Sequence, residues 1–582
     1  MEHINFFSHE RVSDRLILFN EGYSMVHRFT IGCIIGDEKI MIVDAGLGMV
    51  DDFRSYIESV VGTDKPFVLV CTHCHPDHVG SAIQFEDRYV SHLDLHDPRT
   101  PGFAFSDEQR LADLEDFALE SRVAIDYCRE HMLRNNLCDF KDIRDGDIFD
   151  LGGVQIEAIA VPGHSAGSMA FYNRTENYCF TGDAINTDVH LKKLDRQGFR
   201  DYKRTMEHFI ERVDEGVTLY PAHLPMPMTL DIARNLVQIC DDLVNGRNIR
   251  QDPMGETIFR GRQNNRAIRM HYVNNTCIVY NRDILNGDGL AHFRPTADLN
   301  FYSHEKWTDR IYTVTINFSM VHRITLMVVI GDDRVMCIDS GHGIDYKLVE
   351  YIRENIAGYD KPMFMACTHV GIDHAGGAIQ FNEYYIHSND WEALERSMPR
   401  AKRLEDCQPF SLYNREFYEY TKDNMCQPPD PANLRELTDG MVFDLGGIRV
   451  ECLFTPGHSK GHTAFLIRDA GICFTGDAMN IDTHLKALDR QGMLDYAAML
   501  DGFVARVDED TMIFSSHLNR PHDMSVPRNI REACLEIAEG KTEDDPPGEA
   551  IQKHLTAFNN PAIKMHYHGN CCVVYDSAKM TD

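Results

Sequence analysis

Two periodicities alternate along the chain. Residues 29–35 and 39–43 are apolar runs joined by Gly36-Asp37, the signature of a hairpin. Residues 51–61 carry apolar side chains at helical spacing, and the unbroken apolar run 67–71 predicts a buried strand. A short helix is expected over 81–87. Over 106–135, Leu111, Leu114, Phe117, Ala118, Ile125, Cys128 and Met132 keep helical spacing, and Ser106 with Gln109 suits a capping box. Strands are predicted at 148–150, 154–160, 169–172 and 178–180. Asp201 is expected to cap a helix running to about residue 213, a second helix covers 230–244, and a strand pair closes around Asn274-Asn275. Such a mixture predicts two sheets covered by helices.

The whole pattern then repeats. Ser24-Met25-Val26-His27-Arg28 returns as Ser319-Met320-Val321-His322-Arg323, and Val43-Asp44-Ala45-Gly46 as Ile338-Asp339-Ser340-Gly341. Pro162-Gly163-His164-Ser165 returns as Pro456-Gly457-His458-Ser459, and Leu194-Asp195-Arg196-Gln197-Gly198 as Leu488-Asp489-Arg490-Gln491-Gly492. Each recurs 294 to 296 positions later, a register that chance does not hold over half a chain. Two tandem domains follow, 1–290 and 291–582, with Gly- and Pro-bearing sequence between them.

Within the first domain, Thr72-His73-Cys74-His75-Pro76-Asp77-His78 places three imidazoles and a carboxylate directly after a buried strand. His164, Asp183 and His223 also follow strand-like runs, and glycines beside His164 and Asp183 allow sharp turns. Imidazole nitrogen with carboxylate oxygen suits zinc, iron, manganese or cobalt rather than a pure calcium or magnesium site. Seven such donors exceed one tetrahedral shell and suit two ions held close together. A lone histidine is usually a core or surface residue, but seven donors in this arrangement are not. Cys71-x-x-Cys74 reads as a pair of structural thiols, because the second half keeps Cys367 but has Val370 opposite Cys74.

The order His73-x-His75-x-Asp77-His78, then His164, Asp183 and His223, resembles the metallo-β-lactamase fold superfamily, in particular its glyoxalase-II and lactonase-like members. Asp44-x-Gly46 is similar to the acidic turn that precedes the ligands there. The resemblance covers both halves. It implies an αββα sandwich, α/β in class, used twice. It also implies a first ion on His73, His75 and His164, a second on Asp77, His78 and His223, and Asp183 between them. Zinc is expected first, with iron or manganese as alternatives. Two cations lower the pKa of a shared water towards neutrality and stabilise a developing oxyanion. The expected activity is hydrolysis of a small ester, thioester, lactone or related acyl substrate by a metal-bridged hydroxide, with Asp77 as a proton carrier.

In the second half, Gly371 stands where His75 stands, while His369, Asp373, His374, His458, Asp477 and His517 remain. One or two ions are expected there, with the first half as the catalyst. Residues 391–437, rich in proline and aromatic side chains, are expected to form a different pocket wall or a contact with the first half. His27, His190 and Arg196 are candidate substrate contacts, with structural hydrogen bonding or an Arg196–Asp195 ion pair as the alternative.

Composition narrows the partners. The formal net charge of −32 over 582 residues disfavours nucleic acid and anionic membranes. No secretory leader or long apolar span is read, and 17 scattered cysteines suit reduced thiols, so a cytoplasmic protein is expected. A small-molecule substrate, packing of the halves on each other and a homo-oligomer are all compatible with this reading. A di-iron redox protein of the same fold and a non-catalytic metal-binding scaffold are the rival functions.

Overall fold

The alternating strands assemble into three sheets per half. The computed structural model describes residues 4–22, 28–95, 122–133, 138–223, 226–247, 249, 252–253, 267–286, 300–318, 323–407, 415–518, 520–546 and 562–580. These fall into two compact units, the main part of the second beginning at Asn300.

In the first unit, β1 (Phe7–Arg11), β2 (Leu16–Gly22), β3 (Arg28–Ile35), β4 (Ile40–Val43), β5 (Phe67–Val70), β6 (Asp87–Val90) and β7 (Lys141–Asp142) form a seven-stranded sheet in chain order. The first four are antiparallel, and β4 to β7 are parallel. A five-stranded sheet follows: β8 (Ile148–Asp150), β9 (Gln155–Ala160), β10 (Met169–Asn173), β11 (Tyr178–Gly182) and, parallel to β11, β13 (Thr218–Pro221). The three-residue β12 (Asp188–His190) joins the hairpin of β14 (Ile268–Val273) and β15 (Thr276–Asn281) in a small third sheet.

Strand β2 shows why helices must cover these sheets. Leu16 and Leu18 occupy one face and Ile17 and Phe19 the other, and all four are buried. Leu18, Ile34, Met41 and Val70 pack against Ile156, Phe171 and Phe180 of the second sheet, forming the central core. On the outer face, Ile17, Phe19 and Ile42 meet Phe53 and Ile57 of the helix Phe53–Val61. The outer face of the second sheet, with Ile159, Tyr172 and Leu219, is covered by the helices Arg196–Arg212 and Asp231–Asn245. The layers run helix, sheet, sheet, helix, as the αββα expectation requires. The second unit repeats all three sheets with the same strand order.

Local predictions fared unevenly. Residues 81–87 are not a helix: only Ala82–Gln84 makes one tight turn, and Asp87 already opens β6. The helix expected from Asp201 starts earlier, at Arg196. Its cap is Asp195, whose side chain accepts from Gly198 N at 2.8 Å. Arg122–His131 is helical, while the proposed capping box and residues 96–121 lie outside the described residues.

The third sheet carries a buried charge cluster. His271 Nδ1 lies 2.9 Å from Asp252 Oδ1, and Tyr280 Oη donates to Asp252 Oδ2 at 2.8 Å. His271 Nε2 lies 3.6 Å from Asp242 Oδ2. Burial opposes charge on this imidazole, but Asp252 and Asp242 outweigh it and raise its pKa to about 10. His566 repeats the arrangement with Asp545, Glu536 and Tyr575.

Candidate metal centre

The donors gather at one end of the two stacked sheets. The turn 72–78 leaves β5, His164 sits between β9 and β10, Asp183 follows β11, and His223 follows β13. Gly182, with φ of 53°, makes the turn that brings Asp183 round; a Cβ there would lie 2.5 Å from Thr72 Oγ1.

The first cluster is His73, His75, His164 and Asp183. His73 Nε2 lies 2.8 Å from His75 Nδ1, and His164 Nε2 lies 3.1 Å from the same atom. Asp77, His78 and His223 form the second. Asp183 faces both with different oxygens. Its Oδ2 is 3.5 Å from His164 Nε2 and 4.0 Å from His73 Nε2, while its Oδ1 is 3.1 Å from His223 Nε2 and 3.6 Å from His78 Nε2. Donor atoms around a tetrahedral ion with bonds near 2.0–2.1 Å stand about 3.3 Å apart, so these spacings fit two neighbouring ions.

The chemistry of the donors fits as well. His78 Nε2 is buried without a hydrogen bond, and Asp183 Oδ1, though close to His223, is not aligned for one. Burying unpartnered polar atoms is costly, and a cation placed between them removes that cost. Burial and the neighbouring imidazoles hold His73 well below its usual pKa, and burial takes His164 down to about 4, so both offer neutral lone pairs. Burial resists charge on Asp183, but His223 and His78 lower its pKa, and the carboxylates around those two imidazoles raise theirs against burial, so a bound ion would displace their protons.

A supporting layer fixes the rings. Asp44 takes an αL backbone, with φ of 69°. Its Oδ2 lies 2.9 Å from His78 Nδ1, and its Oδ1 accepts from Thr72 N at 2.7 Å. Thr72 Oγ1 in turn meets His73 Nδ1 at 3.2 Å. Each contact leaves Nε2 turned to the centre. Asp44→Asn is expected to weaken ion binding by the first half roughly 10–100-fold, read by competition with a chelator.

Asp94 is the residue the sequence reading missed. Its Oδ2 accepts from Cys74 N at 3.0 Å and Ser165 Oγ at 2.8 Å, and its Oδ1 accepts from Gly167 N. One carboxylate thus ties the 72–78 turn to the His164 turn. Asp390 does the same for Val370, Ser459 and Gly461. The recurrence of an aspartate after corresponding strands was the available signal.

Of the candidate substrate contacts, His190 is half-buried on β12, within electrostatic reach of His164, Asp183 and His223. The Arg196 guanidinium donates to the carbonyl oxygens of Leu285 and Val244, and Asp195 is engaged in capping. His27 lies outside the described residues. The Cys71 and Cys74 thiols are buried and pushed up by that burial, and none of the 17 cysteines is in a disulfide.

The second half gathers His369, His458 and Asp477, and beside them Asp373, His374 and His517. Near these clusters, His342 and His462 stand where the first half has other residues. His342 replaces Leu47, with Nε2 3.7 Å from Asp406 Oδ2. His462 replaces Ser168 and is fully buried. The helix Arg400–Cys407 is held by Arg403, whose guanidinium donates to the carbonyl oxygens of His342, Gly376, Met398 and Cys426 at 2.6–3.0 Å.

The family model of the metallo-beta-lactamase superfamily matches residues 31–223 and again 321–517, more than half of the chain. The chain belongs to this superfamily, with its domain present twice in tandem. Among curated proteins it is similar to acyl-coenzyme A thioesterase MBLAC2 of Homo sapiens, 27% identical over 240 residues, covering 38% of this chain and 83% of that protein. The Bos taurus protein of the same name is 26% identical over the same span and coverage. The probable metallo-hydrolase YqgX of Bacillus subtilis is 25% identical over 155 residues, 26% of this chain and 63% of that protein. Among solved structures, the metallo-beta-lactamase family protein TTHA1429 of Thermus thermophilus aligns with 39% of this chain and 77% of its own, at 21% identity and a TM-score of 0.28. Family membership implies divalent metal ions, and with the His/Asp clusters of both halves it supports a metal-dependent hydrolase. No helix among the described residues is long and apolar enough to cross a membrane.

Proposed function

We propose that the first half is a binuclear metallohydrolase acting on thioesters of the acyl-coenzyme A type. The observation that carries this reading is the split Asp183 carboxylate, with each oxygen facing a different triad of donors. His73, His75 and His164 would hold the first ion, Asp77, His78 and His223 the second, with Asp183 serving both. Bound divalent ions supply a nucleophile from water at neutral pH and polarise the acyl carbonyl.

Leaving-group chemistry favours a thioester among acyl substrates. The departure of the leaving group depends on whether it needs a proton. A thiolate, with a conjugate-acid pKa near 8.5, departs without one, whereas an alkoxide of pKa about 16 does not. Asp77, with a quarter of its side chain exposed, is positioned to exchange a proton with solvent after the bond breaks. The curated thioesterase relatives, matched over 83% of their length, point the same way.

The test is a panel of acyl-coenzyme A thioesters, alkyl esters, lactones and phosphodiesters offered to the metal-loaded chain. Thioester kcat/KM is expected to exceed that of the matched alkyl ester by about 100-fold or more, the scale of one missing proton transfer. Chelation should abolish turnover and zinc should restore it. A preference for phosphodiesters, or turnover untouched by chelation, would overturn the reading.

A further inference from the structure

We infer that the second half holds a single divalent transition-metal ion, in a four-donor cage of Asp373, His374, Asp477 and His517. The inference rests on how this half differs from the first, and goes beyond the activity proposed above.

Four donor-to-donor distances define the cage. Asp373 Oδ2 lies 3.5 Å from both His374 Nε2 and His517 Nε2, and Asp477 Oδ2 lies 3.4 Å and 3.2 Å from the same two atoms. These edges match the roughly 3.3 Å spacing of donors on one tetrahedral ion with bonds of 2.0–2.1 Å. His374 Nε2 is buried without a hydrogen bond, and His374 Nδ1 is fixed at 2.9 Å from Asp339 Oδ2, so Nε2 is aimed into the cage.

The neighbouring position is dismantled. Gly371 removes one imidazole, and the surrounding side chains stand where another would enter. A Cβ at residue 371 would lie 2.8 Å from His369 Nε2, 2.6 Å from His374 Cδ2 and 2.9 Å from Asp373 Oδ1. Asp477 has also turned. His458, like His374 and His517, finds Oδ2 as its near oxygen, at 3.7 Å, so one atom serves both sides. In the first half Asp183 gives each side its own oxygen. His462 does not make good the loss. Its Nδ1 meets Thr455 Oγ1 at 3.0 Å and its Nε2 accepts from Asp477 N at 3.3 Å, which engages both nitrogens. His369 and His458 share Asp477 with the cage, so with Asp477 committed there they would offer two imidazoles against the three or more protein ligands a zinc site requires.

Four protein donors around one ion with no second ion beside it make a closed shell, the form of a structural site. The full chain is therefore expected to bind three ions, two in one half and one in the other.

The experiment reads metal, not turnover, so its outcome is independent of the thioester reading. Manganese is titrated into the metal-free full chain and followed by electron paramagnetic resonance and elemental analysis. An uncoupled six-line signal of one manganese per chain, beside a coupled pair, is expected. Two coupled pairs, or no uncoupled ion at saturation, would overturn the inference. A second measurement uses the full chain carrying His73→Ala, His78→Ala and His164→Ala, with circular dichroism to establish folding. One ion per chain should remain, persist when His369→Ala is added, and vanish when Asp373→Ala is added instead. None or two on the first background, or loss with His369→Ala, would overturn it.

Discussion

Replacing His75 with alanine is expected to lower hydrolytic turnover by about three orders of magnitude, roughly 4 kcal/mol of transition-state stabilisation. His75 Nδ1 is the atom that both His73 Nε2 and His164 Nε2 approach, at 2.8 and 3.1 Å, so its loss opens the centre of the first triad. The matched control lies in the other half. His458→Ala removes the counterpart of His164 from a half that already lacks the counterpart of His75, and most activity should survive. Turnover of both variants, with metal content measured on the same samples, checks the assignment. If His458→Ala is the more damaging change, the active half has been misassigned.

The second large effect concerns stability. His271→Gln is expected to destabilise the first unit by about 3–5 kcal/mol at neutral pH, because Asp252 is left buried without its cation. The pH dependence has a definite sign. The folded pKa of His271, about 10, lies above an unfolded value near 6.5. Its stabilisation is therefore complete below about pH 6.5 and is lost as the pH rises towards 10. His566, raised to about 9 between Asp545 and Glu536, adds the same trend in the second unit. Thermal unfolding of the metal-free chain between pH 6 and 10 should show the decline, and His271→Gln should flatten the part belonging to the first unit. A slope unchanged by that substitution would assign the charge elsewhere.

How much of this was legible depends on the reach of each interaction. The ligand turn 72–78 was legible because its donors are adjacent, and the duplication because it repeats in register. Strands β3 to β5 and β8 to β11 could be read from apolar runs such as Phe67–Val70, whereas β1, β2, β6, β7 and β13 were not expected, although β2 is buried on both faces. The cap of the helix Arg196–Arg212 was misplaced, because Asp195 and Asp201 are chemically alike and only backbone geometry distinguishes them. The short strand β12 escaped notice because its three residues owe their conformation to β15, nearly ninety positions away. Asp94 escaped for a related reason: nothing in its neighbourhood says that it will meet Ser165 and Gly167. Gly371 was legible as a missing ligand. The turned carboxylate of Asp477 that accompanies it depends on side-chain orientation, which no sequence pattern carries.

The Asp94 carboxylate has a consequence for how the protein acquires its metal. Because it joins the two turns that carry the candidate donors, through Cys74 N, Ser165 Oγ and Gly167 N, the chain itself would hold those donors near one another. Binding energy would then not be consumed in ordering loops, in contrast to domains that fold only when loaded. A mix of imidazole and carboxylate donors suits several first-row ions, so which ion such a site would hold depends on metal availability as well as on the fold.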